Sequence, residues 1–172
     1  ECASMITLGY WALLTSTVHA ESLFAGPSGT FMPTTSYETI MSERDAAVDK
    51  SLEASNFIVR TIAASTLSTQ PRMCAQYQFE HKGDILFVQC DDHPNIPVYL
   101  NGKPTQYPKK DGTFIEVVAQ VQGSTITQVF PFPNGTLTVV YKYEQGLFWV
   151  QKSIESPYLG LPVVAEGTYR AQ

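Results

Sequence analysis

Residues 125–155 read TITQVFPFPNGTLTVVYKYEQGLFWVQKSIE. Alternating runs flank Asn134-Gly135, and another follows Glu144-Gln145-Gly146. Asn-Gly between alternating runs is a strong hairpin signal, because the tight turn needs positive φ at its central residues. Leu137, Val139, Tyr141 and Tyr143 fall on one side of their run, with Thr136, Thr138 and Lys142 on the other. That is the period of a strand with one buried face.

The same rhythm fills the chain after Pro71. Runs at 73–80, 85–90, 96–100, 104–107, 113–121, 125–132, 136–143, 147–154 and 163–170 alternate with turns such as Lys82-Gly83-Asp84, Asn101-Gly102 and Asp111-Gly112. Nine strands in a meander with no helix among them predict an antiparallel up-and-down β-barrel, which removes its own edges. A short extended Gly29-Thr30-Phe31-Met32 upstream brings the total to about ten strands.

Between that strand and Pro71 the texture is helical. Residues 36–67 contain neither Gly nor Pro. Ser36 sits at an N-cap position, and Tyr37, Ile40, Met41 and Val48 recur at helical spacing. A weak break at Lys50-Ser51 and a second cap at Ser55 predict two helices, the second carrying Phe57, Ile58, Ile62 and Leu67. Gln70-Pro71 ends them.

The chain has 172 residues, 44% hydrophobic and 16% charged, with a net charge of −5. That suits one globular domain rather than a disordered chain. The acidic balance disfavours nucleic acid as a partner, since there is no basic stripe to displace counterions. Residues 1–28 are expected to form an apolar extension or signal-like segment with a linker, and residues 29–172 the barrel domain. Ile6 to Val18 is apolar, and Val18-His19-Ala20 has the small-residue pattern of a signal-peptidase site, although a basic leader is lacking. If retained, residues 1–20 would dock on a membrane surface or a protein partner.

The order of short strand, two helices and nine strands resembles the intracellular lipid-binding proteins, the fatty-acid- and retinoid-binding group of the calycin superfamily. Gly29-Thr30-Phe31 followed by Tyr37-Glu38-Thr39-Ile40-Met41 looks like that family's opening strand and helix start. The resemblance implies a barrel with an apolar pocket, lidded by the helix pair. The family's fatty-acid binders commonly hold a carboxylate with an Arg-x-Tyr pair on the last strand and a second Arg two strands earlier. Here Tyr169 matches the tyrosine, while Gly167 and Tyr141 stand at the arginine positions. Two phenols cannot replace a bidentate guanidinium, so this departure from the family's pattern argues against a free fatty acid and for a neutral or weakly polar ligand.

The expected ligand-binding residues are Tyr77, Phe79, Tyr141, Tyr143, Trp149 and Tyr169, with Tyr141 and Tyr169 as polar contacts and Trp149 as a wall. Cys74 and Cys90 lie symmetrically about Lys82, both on the outer face, and a disulfide between them is expected. Asn134-Gly135-Thr136 is a glycosylation sequon, but a tight turn explains it better. Asp91-Asp92-His93 reads as a solvated loop rather than a metal site. No nucleophile–base pair can be nominated, so an enzyme is not expected, and neither cofactor nor metal is implied. The expected function is non-enzymatic binding of a small hydrophobic ligand such as a neutral lipid, retinoid or pigment. The alternative is a structural accessory subunit of a larger protein assembly, whether membrane-bound or not. The signal-like segment, the cysteines and the sequon together point to an extracytoplasmic location.

Overall fold

A computed structural model describes residues 26–109 and 111–172. The opening strand β1 (Gly29–Pro33) leads to helices α1 (Tyr37–Glu53) and α2 (Phe57–Leu67). Ten strands follow: β2 (Tyr77–Lys82), β3 (Ile85–Cys90), β4 (Ile96–Tyr99), β5 (Thr105–Pro108), β6 (Phe114–Val117), β7 (Gln120–Gln122), β8 (Thr125–Phe132), β9 (Gly135–Glu144), β10 (Leu147–Glu155) and β11 (Val163–Ala171). No helix among the described residues is long and apolar enough to cross a membrane.

The fold is mainly β: a curled antiparallel sheet in the order β4-β3-β2-β1-β11-β10-β9-β8-β7, with β5-β6 as a separate hairpin. Strand β1 pairs with both β2 and β11 and so joins the two ends of the chain. The expected barrel is therefore present, but its backbone ladder is interrupted on either side of the β5-β6 hairpin. Side chains bridge those seams. Thr105 Oγ1 donates to the Pro97 carbonyl at 2.8 Å, and Gln128 Nε2 donates to Tyr107 Oη at 3.0 Å.

The expected run 113–121 is divided into β6 and β7, which adds a strand to the anticipated count. The first hairpin strand begins at Tyr77 rather than Met73, because Met73 and Cys74 are fully buried in an irregular segment. The first helix runs through the anticipated break to Glu53: Ser51 is buried and donates to the Leu161 carbonyl at 2.6 Å. The second cap is Asn56, whose Oδ1 accepts from Val59 N at 2.9 Å. Ser55 instead donates back to the Ser51 carbonyl and accepts from Gly160 N at 3.0 Å. Ser36 caps α1 as expected, accepting from Thr39 N. Arg44, nearly buried, donates to the Leu67 and Ser68 carbonyls at 3.2 and 3.1 Å and ties α1 to the end of α2.

The core follows the alternation. Strand β11 buries Val163, Ala165, Gly167 and Tyr169 and exposes Val164, Glu166 and Arg170. Phe31, Tyr77, Phe79, Tyr141, Phe148 and Tyr169 form one aromatic cluster, with Phe79 and Phe148 centroids 3.9 Å apart and Tyr77 meeting Tyr169 edge-on at 4.8 Å. Such ring pairs add to ordinary apolar burial. A Cβ on Gly167 would lie 3.1 Å from Ile40 of α1 and 3.1 Å from the Tyr169 ring. A side chain at that position is crowded, because α1 packs down on β11 there.

Candidate functional site

The inner cavity of about 210 Å³ lies between the start of β2, the β3-β4 segment, β9 and β10. Its walls are mostly aliphatic and aromatic, from residues such as Val88, Val98, Phe130 and Val139. Its polar groups include Tyr77, Tyr107, Tyr141, Arg72, His93 and Lys152, with Gln70 at its border. A second, larger hollow of about 870 Å³ is a groove between α2, the β8-β9 turn and the β10-β11 loop. Ile58, Val59, Ile62, Leu137, Ile154 and Leu159 dominate its surface. Gln70 and Leu137 border both hollows.

Strand β10 connects the two. Its inward positions are Phe148, Val150, Lys152 and Ile154; all but Lys152 are buried apolar side chains. Lys152 borders the inner cavity and Ile154 the groove. Two residues along a strand span roughly 7 Å, so an elongated ligand could reach from one to the other.

The polar end of the inner cavity is organised around the β3-β4 segment. Asp91, at φ 51°, accepts from Arg72 at 3.1 Å and from Gln76 N at 3.0 Å. His93 Nε2 accepts from the other arm of the Arg72 guanidinium. The loop expected from the sequence is a turn in which Asp92 and His93 are exposed, and Asp91 and His93 also hold Arg72. Lys152 Nζ donates to the Arg72 carbonyl at 2.5 Å. Burial, reinforced by the Arg72 charge, lowers the Lys152 amine to a pKa of about 8. Burial also raises the phenols of Tyr77 and Tyr141 above their ordinary range, which keeps them protonated as hydrogen-bond donors.

Of the six residues expected to line a ligand pocket, Tyr77 and Tyr141 border the inner cavity. Phe79, Tyr143 and Tyr169 pack within the aromatic cluster and do not border it. Tyr169 is already engaged, donating to the Cys74 carbonyl at 2.9 Å. Trp149 is not an interior wall. It alternates with the buried Phe148 and Val150, so it faces outward beside Lys142, Leu147 and Thr168. The buried neighbour Phe148 takes the interior place.

The Cys74–Cys90 disulfide is present, with its Cα atoms 5.5 Å apart. Its expected outer-face setting is corrected. Cys90 pairs across the ladder with the inward-facing Tyr77, and Cys74 is fully buried before β2 begins. The register of this hairpin is centred one residue and a half beyond the position symmetric about the cysteines, because the turn is Gly83-Asp84. Asn134 is exposed in the β8-β9 turn at the rim of the groove. A Cβ on Gly135 would approach the Glu155 carbonyl to 2.1 Å, so the glycine is required by packing as well as by the turn. The docking role expected of residues 1–20 lies outside the described residues.

Lys152 and the α2 groove are absent from the expected set. The alternation of β10 carries a signal for Lys152, a cation among inward apolar positions. The groove has no comparable signature, since α2 and two distant turns build it together.

No family model matches the chain, and no curated protein matches it. Among solved structures it is similar to the REP1-NXSQ fatty acid transporter, at 11% identity and a TM-score of 0.47, over 84% of this chain and 95% of that one. A zebrafish ileal bile acid-binding protein complexed with cholic acid is similar at 12% identity and TM-score 0.47, over 84% and 98%. A Schistosoma mansoni fatty acid binding protein in complex with arachidonic acid is similar at 16% identity and TM-score 0.47, over 88% and 98%.

Proposed function

We propose that the protein is a non-enzymatic carrier of a small, elongated hydrophobic ligand, neutral or weakly polar. Its apolar body would lie in the groove under α2 and its polar end in the inner cavity. The observation that carries this reading is the groove itself, about 870 Å³ with predominantly apolar walls, opening beside a smaller cavity that holds the polar groups. That division matches an amphiphile. Apolar ligand surface removed from water contributes about 25 cal/mol per Å², and a few convergent donors fix orientation. The phenols of Tyr77 and Tyr141 supply them; Tyr169 is occupied elsewhere.

The test is titration with dodecanol, a neutral ligand, in competition with a fluorescent alkyl probe. Saturable displacement from the native protein is expected. It should be lost in Thr66→Trp, which fills the groove from an exposed position on α2. Equal binding by both proteins, or none by the native one, sinks the reading.

The second reading, an accessory subunit, draws support from Phe57, Ile58 and Ile62 of α2, which are 79, 69 and 71% exposed. A partner chain covering that face would bury them. Failure of every apolar probe to bind would favour it. An extracytoplasmic, oxidising compartment is part of the same proposal, supported by the disulfide.

A further inference from the structure

Lys152 stands where the alternation of β10 demands an apolar side chain. Among the described residues no carboxylate lies within ion-pair distance of its amine. Of the charges that act on it, the cation Arg72 opposes its proton more strongly than Asp91 favours it, and Asp91 is itself paired with Arg72. Holding a half-buried lysine against apolar walls without a paired anion is unfavourable, and it persists here on one wall of a cavity. A second polar group on that cavity is unsatisfied, whereas the Lys152 amine keeps its bond to the Arg72 carbonyl. Tyr77 is 1% exposed, and its hydroxyl has no hydrogen-bond partner. The cavity thus holds a desolvated amine and a phenol donor awaiting an acceptor, with an apolar groove leading away past Leu137.

We infer that Lys152 is a covalent attachment site for the carbonyl group of an aldehyde-ended apolar ligand, with Tyr77 donating a hydrogen bond to the carbonyl oxygen. This rests on the carrier reading and adds the chemical class of the ligand's polar end. A carbonyl oxygen supplies the acceptor that Tyr77 lacks, and it brings no charge into the apolar walls. The neutral amine adds its lone pair to the carbonyl carbon while the carbonyl π pair moves to oxygen. Proton transfer from nitrogen to that oxygen gives a carbinolamine. The hydroxyl leaves as water as the nitrogen loses its second proton and forms the C=N bond. The balance is amine plus aldehyde to imine plus one water, with no oxidant or reductant.

The reactive form is the free amine. Its pKa of about 8 leaves a larger fraction of free amine near neutrality than an ordinary lysine has. The titratable and charged groups facing it are Arg72, Asp91 and His93 from the segments flanking β2 and β3, Tyr77 on β2, Tyr107 on β5 and Tyr141 on β9. Arg72 is paired with Asp91, and the phenols stay protonated.

The experiment uses the whole chain, dodecanal as the probe, and cyanoborohydride to trap the imine as a stable secondary amine. Intact mass and peptide mapping locate the adduct. The expected result is one adduct at limiting aldehyde, on Lys152, forming at a rate that rises through pH 8. Tyr77→Phe should slow it at least about tenfold, and Lys152→Arg should abolish it. Prior saturation with dodecanol should protect Lys152 in the native protein, a measurement that holds even if a variant fails to fold. Adducts spread evenly over the surface lysines, or a Lys152 adduct unaffected by dodecanol, would overturn the inference. Dodecanol binding without a Lys152 adduct removes the covalent step and leaves the carrier reading standing. Absence of dodecanol binding removes the carrier reading itself.

Discussion

Tyr169 on the last strand donates its phenolic proton to the carbonyl of Cys74, 95 residues earlier, at 2.9 Å. Cys74 lies outside the β ladder, and this bond and the disulfide help to hold its segment against the barrel. Tyr169→Phe keeps the ring in the aromatic cluster and leaves a buried carbonyl without its donor. The expected cost is about 1–3 kcal/mol, read as a lowered denaturation midpoint with an unchanged slope. A midpoint equal to the native one would show that the bond contributes nothing net.

The disulfide closes a loop of 16 residues in sequence separation. Loop-closure arguments put the loss on removing such a link at about 2–4 kcal/mol. Cys74→Ala with Cys90→Ala should show that loss under oxidising conditions, and reductant should bring the native protein close to the variant. Both cysteines sit in the wall of the candidate site or beside it. Thiol alkylation under denaturing conditions, with and without reductant, checks the bond directly: free alkylation without reductant would contradict it.

Gly160 joins the β10-β11 loop to the junction of the two helices. A Cβ there would lie 2.2 Å from the Ala54 carbonyl oxygen and 2.7 Å from the Ala54 Cβ. Backbone cannot yield as a flexible side chain can, so Gly160→Ala must push the loop from the helices and strain the hydrogen bond from Gly160 N to Ser55 Oγ. The expected destabilisation is about 1–3 kcal/mol. Tyr158 and Leu159 line the groove, so weaker binding of an apolar probe should accompany it. A destabilised variant with native probe affinity would separate the loop from the site.

Much of this architecture is legible in the residues. Asn134-Gly135 and Gln145-Gly146 announce their hairpins because few residues tolerate the turn backbone, and the two sides of β9 and β11 follow from period-2 alternation. The misplaced items share a cause. Cys74 and Trp149 are assigned by extending a local pattern past its support: one across a strand boundary that tertiary bonds set, the other by aromatic character against its own alternation. Reading β10 as Phe148, Val150, Lys152, Ile154 identifies the inward lysine without any coordinates. The unsatisfied Tyr77 hydroxyl is different in kind. Whether a buried phenol finds a partner depends on chain segments far apart in sequence, and no spacing rule reports it.

The inward lysine also makes stability depend on pH in a definite direction. Burial and the Arg72 charge lower its pKa in the folded protein from 10.5 to about 8. Between those values the unfolded chain holds the proton more often than the native one, so stability rises with pH across the window. The gain from this group is at most about 1.4 kcal/mol per pH unit. The buried phenols act oppositely at higher pH. Tyr77, Tyr141 and Tyr169 are raised by burial, so above about pH 10 the unfolded chain ionises first and stability falls. Lys152→Met keeps an unbranched apolar stem of similar length and removes the titration. It should be more stable than the native protein at pH 7, where the native amine carries a poorly solvated charge, and the difference should shrink from pH 8 to 10. Urea midpoints across pH 6.5–11 measure both curves. Parallel curves through the window would mean that the Lys152 amine titrates alike in the folded and unfolded chain, and that the cavity does not desolvate it.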